Sequence, residues 1–288
     1  MRDMTLDTLQ SVILARFPEL ACASFELLST GWDSVALDVD DALIFKFPRN
    51  EVARAALIRE ASILAAVRPF LTMPVPDLTL YQEPRLFSRH KKLRGEHLVT
   101  EQYEALPVSA RDRMAAELAQ FYSQLHAIDN HVMADVGARP IFEWLAPDAI
   151  LDRALPLLPP NLHSYAQRTI TAWRDLPPDP HGVTYGFFDG HGWNMAFDHS
   201  AHRLNGVYDF SDSGFGALQQ DFIYSNFIAR DLTERTISAY ETLTGRSIDR
   251  ERVELLSGVL RLNELAEVAP EPDRHAEMVD YVGRWVQG

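Results

Sequence analysis

The sequence predicts an α+β fold in two lobes, a small antiparallel-sheet lobe to about residue 90 and a larger, mainly helical lobe over 91–288. Three observations lead there. Residues 35–47 (VALDVDDALIFKF) hold two β-rich runs joined by an acidic dipeptide, the pattern of a hairpin. From about residue 105 onwards apolar residues recur at helical spacing. A loop-rich stretch at 183–215 interrupts those helices with short β-like runs. Strands first and helices after, with a loop centre embedded in the second part, suggest two lobes with a cleft between them.

In chain order, Leu6, Leu9, Ile13, Leu14 and Phe17 are spaced as one stripe of an amphipathic helix. The hairpin follows, its tight turn at Asp40-Asp41. Residues 51–67 switch to helical period, with Ala53, Ala56, Leu57, Ile63, Leu64 and Val67 on one face and the helix ending before Pro69. Prolines break 74–98 into short apolar runs, read as further strands and then a connector near Phe87–Gly95. The helix at 109–128 repeats Leu118, Phe121, Tyr122, Leu125 and Ile128 on one face. Proline-rich stretches at 156–160 and 177–180 punctuate the remainder, and no internal repeat or low-complexity tract is found.

A chain of 288 residues, 47% apolar and 24% charged, is long enough to bury a substantial core. The single Cys22 has no internal partner, so nothing calls for an oxidising compartment. No apolar run approaches the ~20 residues that span a bilayer. The N-terminal stretch MRDMTLDTLQ lacks the layout of a signal peptide, which makes the cytoplasm the expected location. Lysine and arginine number 27 against 41 acids, a net charge of −14. That balance repels a phosphate backbone and favours cationic ligands, so nucleic acid and membrane are not expected partners.

The chemistry-bearing residues come in three groups. Lys46 lies in the apolar run Ala42–Phe47, where an ammonium is costly without an anion, and Glu60 falls on the apolar stripe of the next helix. An ion pair between them accounts for both; a snorkelling lysine and an unrelated interfacial glutamate form the competing reading. Ser29, Gly31 and Ser34 belong to a loop whose amides could cover phosphate oxygens, or to an ordinary turn before a strand. The third group is Phe187-Phe188-Asp189-Gly190-His191-Gly192-Trp193-Asn194, followed by Tyr208-Asp209-Phe210-Ser211. Phosphoryl transfer needs a carboxylate to receive or orient the acceptor's proton, plus oxygen ligands for magnesium; Asp189, Asn194 and Asp209 together supply that set, while each taken singly also reads as a turn residue of a Gly-rich loop. His191 reads as loop-stabilising and His126 as a core histidine, and neither has zinc-ligand spacing.

These motifs resemble the aminoglycoside phosphotransferase and choline kinase superfamily, which has a bilobal protein-kinase-like fold. The likeness runs from about Leu27 to Ile223, through TGWDSVALDVDDALIFKFPR, Arg59-Glu60, the PVP at 74–76, RHKKLRGEHL, LAQFYSQLHAID, FFDGHGWNMAFD and GVYDFSDSGFGALQQDF. It implies that Asp189 is the catalytic base, Asn194 and Asp209 bind Mg2+, and Lys46 paired with Glu60 binds phosphates of ATP or GTP. It further implies that Phe87, Ser88, Arg89 and His90 form the hinge beside the purine, and that Asp221 is a structural acid closing the catalytic region. Two departures stand out. Phe187 replaces the histidine usual two residues before the catalytic aspartate, and Ser211 replaces the glycine usual after Asp209-Phe210.

The resemblance implies a monomeric or homodimeric small-molecule kinase transferring the γ-phosphate of ATP or GTP to a hydroxyl. An aminoglycoside is the leading acceptor, with choline, homoserine, a ketosamine or a macrolide behind it. The acids of segment 264–288, Glu264, Glu267, Glu271, Asp273, Glu277 and Asp280, suit a polycationic acceptor or simply face solvent. A nucleotide-binding module without turnover is the competing class: Phe187 favours it, and the retained Lys46, Asp189, Asn194 and Asp209 oppose it.

Overall fold

A computed structural model describes residues 4–28 and 34–287. Its first helix, α1 (Leu6–Arg16), is capped by Thr5 and buries Leu9 and Ile13. Strands β1 (Phe25–Leu28), β2 (Ser34–Val39), β3 (Leu43–Pro48), β4 (Thr79–Tyr81) and β5 (Phe87–Lys91) form an antiparallel sheet in the order β1-β2-β3-β5-β4. The β2–β3 turn passes through Asp40, Asp41 and Ala42 between the paired Val39 and Leu43; Asp40 and Asp41 both adopt left-handed φ, 56° and 52°, and the Ala42 N–H donates to the Val39 carbonyl at 3.1 Å. Asp40 is held there by Ser24, whose backbone N–H and hydroxyl both donate to Oδ1.

Alternation along the strands divides the sheet into two faces. One carries Val35, Leu37, Val39, Phe45, Phe47 and Phe87, and α1 closes over it with Leu9, Ile13 and Phe17. The other carries the paired rows Ala36, Lys46, Ser88 and Asp38, Ile44, His90. Helix α2 (Glu51–Val67), capped by Asn50, buries the predicted stripe and brings Glu60 to this second face. Residues 87–91, expected to begin a connector, are instead strand β5, bonded to β3 and β4 on either side. Their polar, basic composition hid a strand that is buried at Phe87, Ser88 and His90 and opens at Arg89 and Lys91.

Past Lys91 the chain is mainly helical: α3 (Thr100–Glu104), α4 (Val108–His126), α5 (Asn130–Asp135), α6 (Pro147–Ala154) and α7 (Pro160–Arg174). Two strand pairs follow, β6 (Val183–Gly186) with β9 (Gly214–Ala217) and β7 (Met195–Asp198) with β8 (Arg203–Val207). Helices α8 (Arg230–Thr244), α9 (Arg250–Glu267) and α10 (Pro272–Gln287) complete the lobe, α8 stopping at Gly245 with φ 71°. The main core joins the end of α2, the inner face of α4 and the strand pairs to α8 and α9. A second core holds α6 and α7 against α9 and α10. Among the described residues no helix is long and apolar enough to cross a membrane.

Candidate active site

The loop between β6 and β7 is fixed from behind by a buried acid. Asp221 Oδ2 accepts from the Phe187 N–H at 2.9 Å and Oδ1 from the Phe188 N–H at 2.5 Å. His126 meets the same carboxylate at 3.0 Å through Nε2 and Tyr240 at 2.9 Å through Nδ1. His126 is thus a partnered core histidine, and Asp221 a structural clamp. The clamp has a conformational role: Phe188 lies at φ 55°, an unfavourable region for a non-glycine residue that persists only where neighbours impose it. Gly186 leaves room for the clamp, since a Cβ there would collide with Asp221 Oδ2.

Asp189 leaves that clamped turn with both carboxylate oxygens held. Asn194 Nδ2 donates to Oδ2 at 2.5 Å and to the Asp189 carbonyl at 3.0 Å, and His191 Nε2 lies 3.1 Å from Oδ1. Burial disfavours a charge on His191, but the hydrogen bond to Asp189 and that residue's charge outweigh it and raise its pKa. Each carboxylate oxygen offers two lone pairs, so these two contacts orient Asp189 without exhausting it. The Tyr122 hydroxyl lies directly beneath Gly190, where a Cβ would collide with it. Phe187 is buried, its ring 4.9 Å from Phe210 and 5.5 Å from Phe121, so the place of the usual histidine is filled by aromatic packing.

The sheet lobe reaches the same centre through Lys46, whose Nζ lies 3.4 Å from Glu60 Oε1 and 3.8 Å from Asp209 Oδ1. Burial alone would lower the Lys46 pKa, yet the two carboxylates reverse that and raise it. Lys46 in turn is the main cause of a lowered pKa at Asp209, so that carboxylate stays ionised. Glu60 Oε1 also accepts from the Phe210 N–H at 3.3 Å, which ties β3, α2 and the loop after β8 into one network. Asp209 itself adopts φ 66° and accepts from the Ser211 hydroxyl at 2.9 Å. That bond is a local support no glycine at 211 could provide.

Asn194 and Asp209 come together because the Tyr208 N–H donates to the Asn194 carbonyl at 3.0 Å. With Nδ2 committed to Asp189, the Asn194 side chain has Oδ1 left to offer, and Asp209 adds an anionic oxygen. Two hard oxygen donors fit Mg2+, which takes one or two protein ligands and completes its shell with phosphates and water. Among the described residues no three His, Cys, Asp or Glu side chains form a metal-holding cluster of their own.

The remaining expected residues divide by strand face. Ser34 starts β2 opposite Pro48 and shares the parity of Ala36 and Lys46. Ser88 and His90 are buried on the Lys46 face, and burial followed by the Lys46 charge pushes the His90 pKa down to about 3. Phe87 and Arg89 point the other way, Phe87 into the core under α1 and the Arg89 guanidinium 4.8 Å from the Phe17 ring. Alternation thus sends the Phe87 and Arg89 side chains to the face opposite Lys46, and leaves those of Ser88 and His90 on the Lys46 face. Ser29 and Gly31 lie outside the described residues.

Sequence reasoning missed three features. Tyr224 is held unionised by burial and then by the charges of Asp189, Asp221, Asp212 and Glu264, so several carboxylates gather near Asp189. Glu264, one of the C-terminal acids, is among those charges and also pairs with Arg261 at 3.0 Å. Glu271 and Asp280 pair with Arg274 and Arg284, while Glu277 accepts from Tyr281. Trp193, His97 and Tyr208 form an aromatic cluster at the loop's edge. The acids near Tyr224 and the Trp193 cluster have no single local sequence signal, since their members come from separate segments of the chain. A cavity of about 590 Å³ among α7, α8, α9 and α10 contains none of the residues above; its arginines Arg230 and Arg250 pair with Glu254 and Glu234.

Residues 24–256 match the model of the phosphotransferase enzyme family. Solved structures of similar fold include the GDP complex of wild-type aminoglycoside 2'-phosphotransferase-IIIa, 19% identical over 98% of each chain with a TM-score of 0.84. The streptomycin-ATP-APH(2")-IIa ternary complex is 19% identical over 100% of this chain and 98% of that one, TM-score 0.66. Macrolide 2'-phosphotransferase from Brachybacterium faecium is 16% identical over 97% of each, TM-score 0.65. At such identities the likeness speaks to the fold, which is kinase-like and bilobal.

Proposed function

The chain belongs to the phosphotransferase enzyme family, and on that footing we propose that it transfers the γ-phosphate of ATP or GTP to a hydroxyl of a small cationic acceptor of the aminoglycoside kind. The observation that carries this reading is the single network from Glu60 through Lys46 to Asp209, set beside Asp189 and Asn194. Each member has the charge and the chemistry that phosphoryl transfer requires.

In this reading the lobe to about residue 90 takes the nucleotide, and Lys46, kept charged by Glu60, holds its phosphates. Asn194 Oδ1 and the Asp209 carboxylate hold Mg2+, which would neutralise charge on the phosphates when bound. Asp189, oriented by Asn194 and His191, accepts the proton of the attacking hydroxyl; it acts on the acceptor rather than on the nucleotide. The carboxylates of Asp189 and Asp212 near Tyr224, together with the net charge of −14, favour an acceptor carrying ammonium groups. Among known structures of this fold the aminoglycoside enzymes bind GDP or ATP, which supports a purine triphosphate as donor. We place the protein in the cytoplasm on the sequence argument, where the nucleotide is supplied.

The test is an acceptor screen reading nucleoside diphosphate release with Mg·ATP and Mg·GTP, over aminoglycosides, amino alcohols, sugars, amino acids and macrolides. Release stimulated by an ammonium-bearing acceptor is expected. Nucleotide binding without release across every acceptor class would instead favour a binding module without turnover.

A further inference from the structure

The catalytic loop exposes an indole that the phosphoryl-transfer chemistry does not use. Trp193, adjacent to Asn194, leaves 61% of its surface open. The residue is nonetheless held firmly. The Tyr208 hydroxyl donates to the Trp193 carbonyl at 2.9 Å, and the His97 ring packs against the indole with centroids 4.7 Å apart. Segment 96–98 is laced to the loop, the Leu98 N–H donating to the Gly192 carbonyl at 3.2 Å. A Cβ at Gly192 would collide with the Leu98 carbonyl, so glycine permits this approach.

The hydrogen bonds fix the tautomer of His97. Tyr208 has one hydroxyl proton and gives it to Trp193, so at the 3.1 Å contact with His97 Nδ1 the phenol oxygen accepts. The proton then lies on Nδ1, and Nε2, on the far edge of an exposed ring, is an acceptor. Burial lowers the His97 pKa, which keeps the ring neutral near pH 7. The cluster therefore offers an aromatic face beside a hydrogen-bond acceptor. It flanks Tyr208, whose environment includes Asp209, Lys46 and Lys92, and so lies between the phosphate end of the cleft and segment 92–98 joining the lobes.

We infer that Trp193 and His97 form the contact surface for the sugar of the nucleotide, the indole covering its C–H face and His97 Nε2 accepting from a sugar hydroxyl. This rests on the nucleotide reading above. A face of C–H groups suits an aromatic platform, and a sugar hydroxyl is the donor that a neutral Nε2 requires. With the phosphates at Lys46 and Asp209, the nucleoside must extend toward the segment joining the lobes, across this cluster.

Calorimetric titration of the full chain with Mg·ATP and Mg·GTP comes first, since it tests nucleotide binding without assuming the inference. Trp193→Ala should weaken the bound nucleotide about tenfold while leaving inorganic tripolyphosphate within about twofold. The emission change on nucleotide addition should be lost in Trp193→Phe. His97→Phe keeps the packing and loses the acceptor, so it should abolish the preference for ATP over 2',3'-dideoxy-ATP. Wild-type binding that Trp193→Ala leaves unaltered overturns the inference and spares the functional reading. So does an equal loss of tripolyphosphate, or an emission change produced by kanamycin alone. If neither nucleotide binds the wild-type chain, both the reading and the inference fail.

Discussion

Asp189 is held by two donors, and its substitution separates orientation from chemistry. Asn at 189 keeps the size but loses the charge, and a base that handles the acceptor proton stabilises the transition state rather than the bound nucleotide. Asp189→Asn is therefore expected to lower kcat about a thousandfold while nucleotide affinity changes less than about twofold. Phe187→His should be tolerated, because position 187 is a packing slot against Phe121 and Phe210. Single-turnover transfer beside a nucleotide titration measures both, and a wild-type rate in the asparagine variant would make Asp189 a turn residue. At this scale the grouping of Asp189, Asn194 and Asp209 was legible because its members lie close in sequence. The Asp221–His126–Tyr240 support was only partly so: Asp221 entered through resemblance and His126 as a core residue. Their contact spans 95 residues, and that with Tyr240 spans 114. No local pattern encodes such a meeting.

Elements show the same division between local and long-range information. The β2–β3 hairpin and α2 were readable from alternation, a two-aspartate turn and a 3.6-residue stripe, all local signals. Strand β1 was not read, being four residues long, and β5 was taken for a connector because its basic composition masks an alternation that only pairing with β3 and β4 stabilises. The Lys46–Glu60 relation sits between these cases, since burial pressure on each charge suggested a pair that geometry then brings to 3.4 Å. Because Glu60 also holds the Phe210 N–H, the pair links β3, α2 and the loop that carries Asp209. Lys46→Ala and Glu60→Ala should each reduce kcat/KM with nucleotide, and the double variant should lose less than the sum, with a coupling of about 1–3 kcal/mol. A double-mutant cycle measures it. Strict additivity would mean that the two side chains act separately.

For the molecule as a whole, the two lobes contribute charges of opposite sign to one centre, and that makes its stability responsive to ligand. Lys46 comes from the sheet, Asp209 from the helical lobe, and their 3.8 Å approach joins the two. A ligand that binds the folded chain only stabilises it by mass action, about 2.7 kcal/mol at a hundredfold excess over Kd. In a chain of this length that corresponds to a rise in Tm of about 5 °C. Magnesium with ATP or GTP should produce such a rise, and chelation with EDTA should remove most of it, because in the proposed function the metal would link the phosphates to Asn194 and Asp209. Asp209→Ala should abolish the magnesium-dependent part while the ligand-free Tm changes by only a few degrees. Asp209 is partly open to solvent and Lys46 retains Glu60, so the fold does not depend on that carboxylate. Thermal denaturation of both proteins, with and without magnesium, separates the contributions. An Asp209→Ala protein that keeps the full magnesium-dependent rise would place the metal ligand elsewhere and leave Asp209 as a charge partner of Lys46 alone.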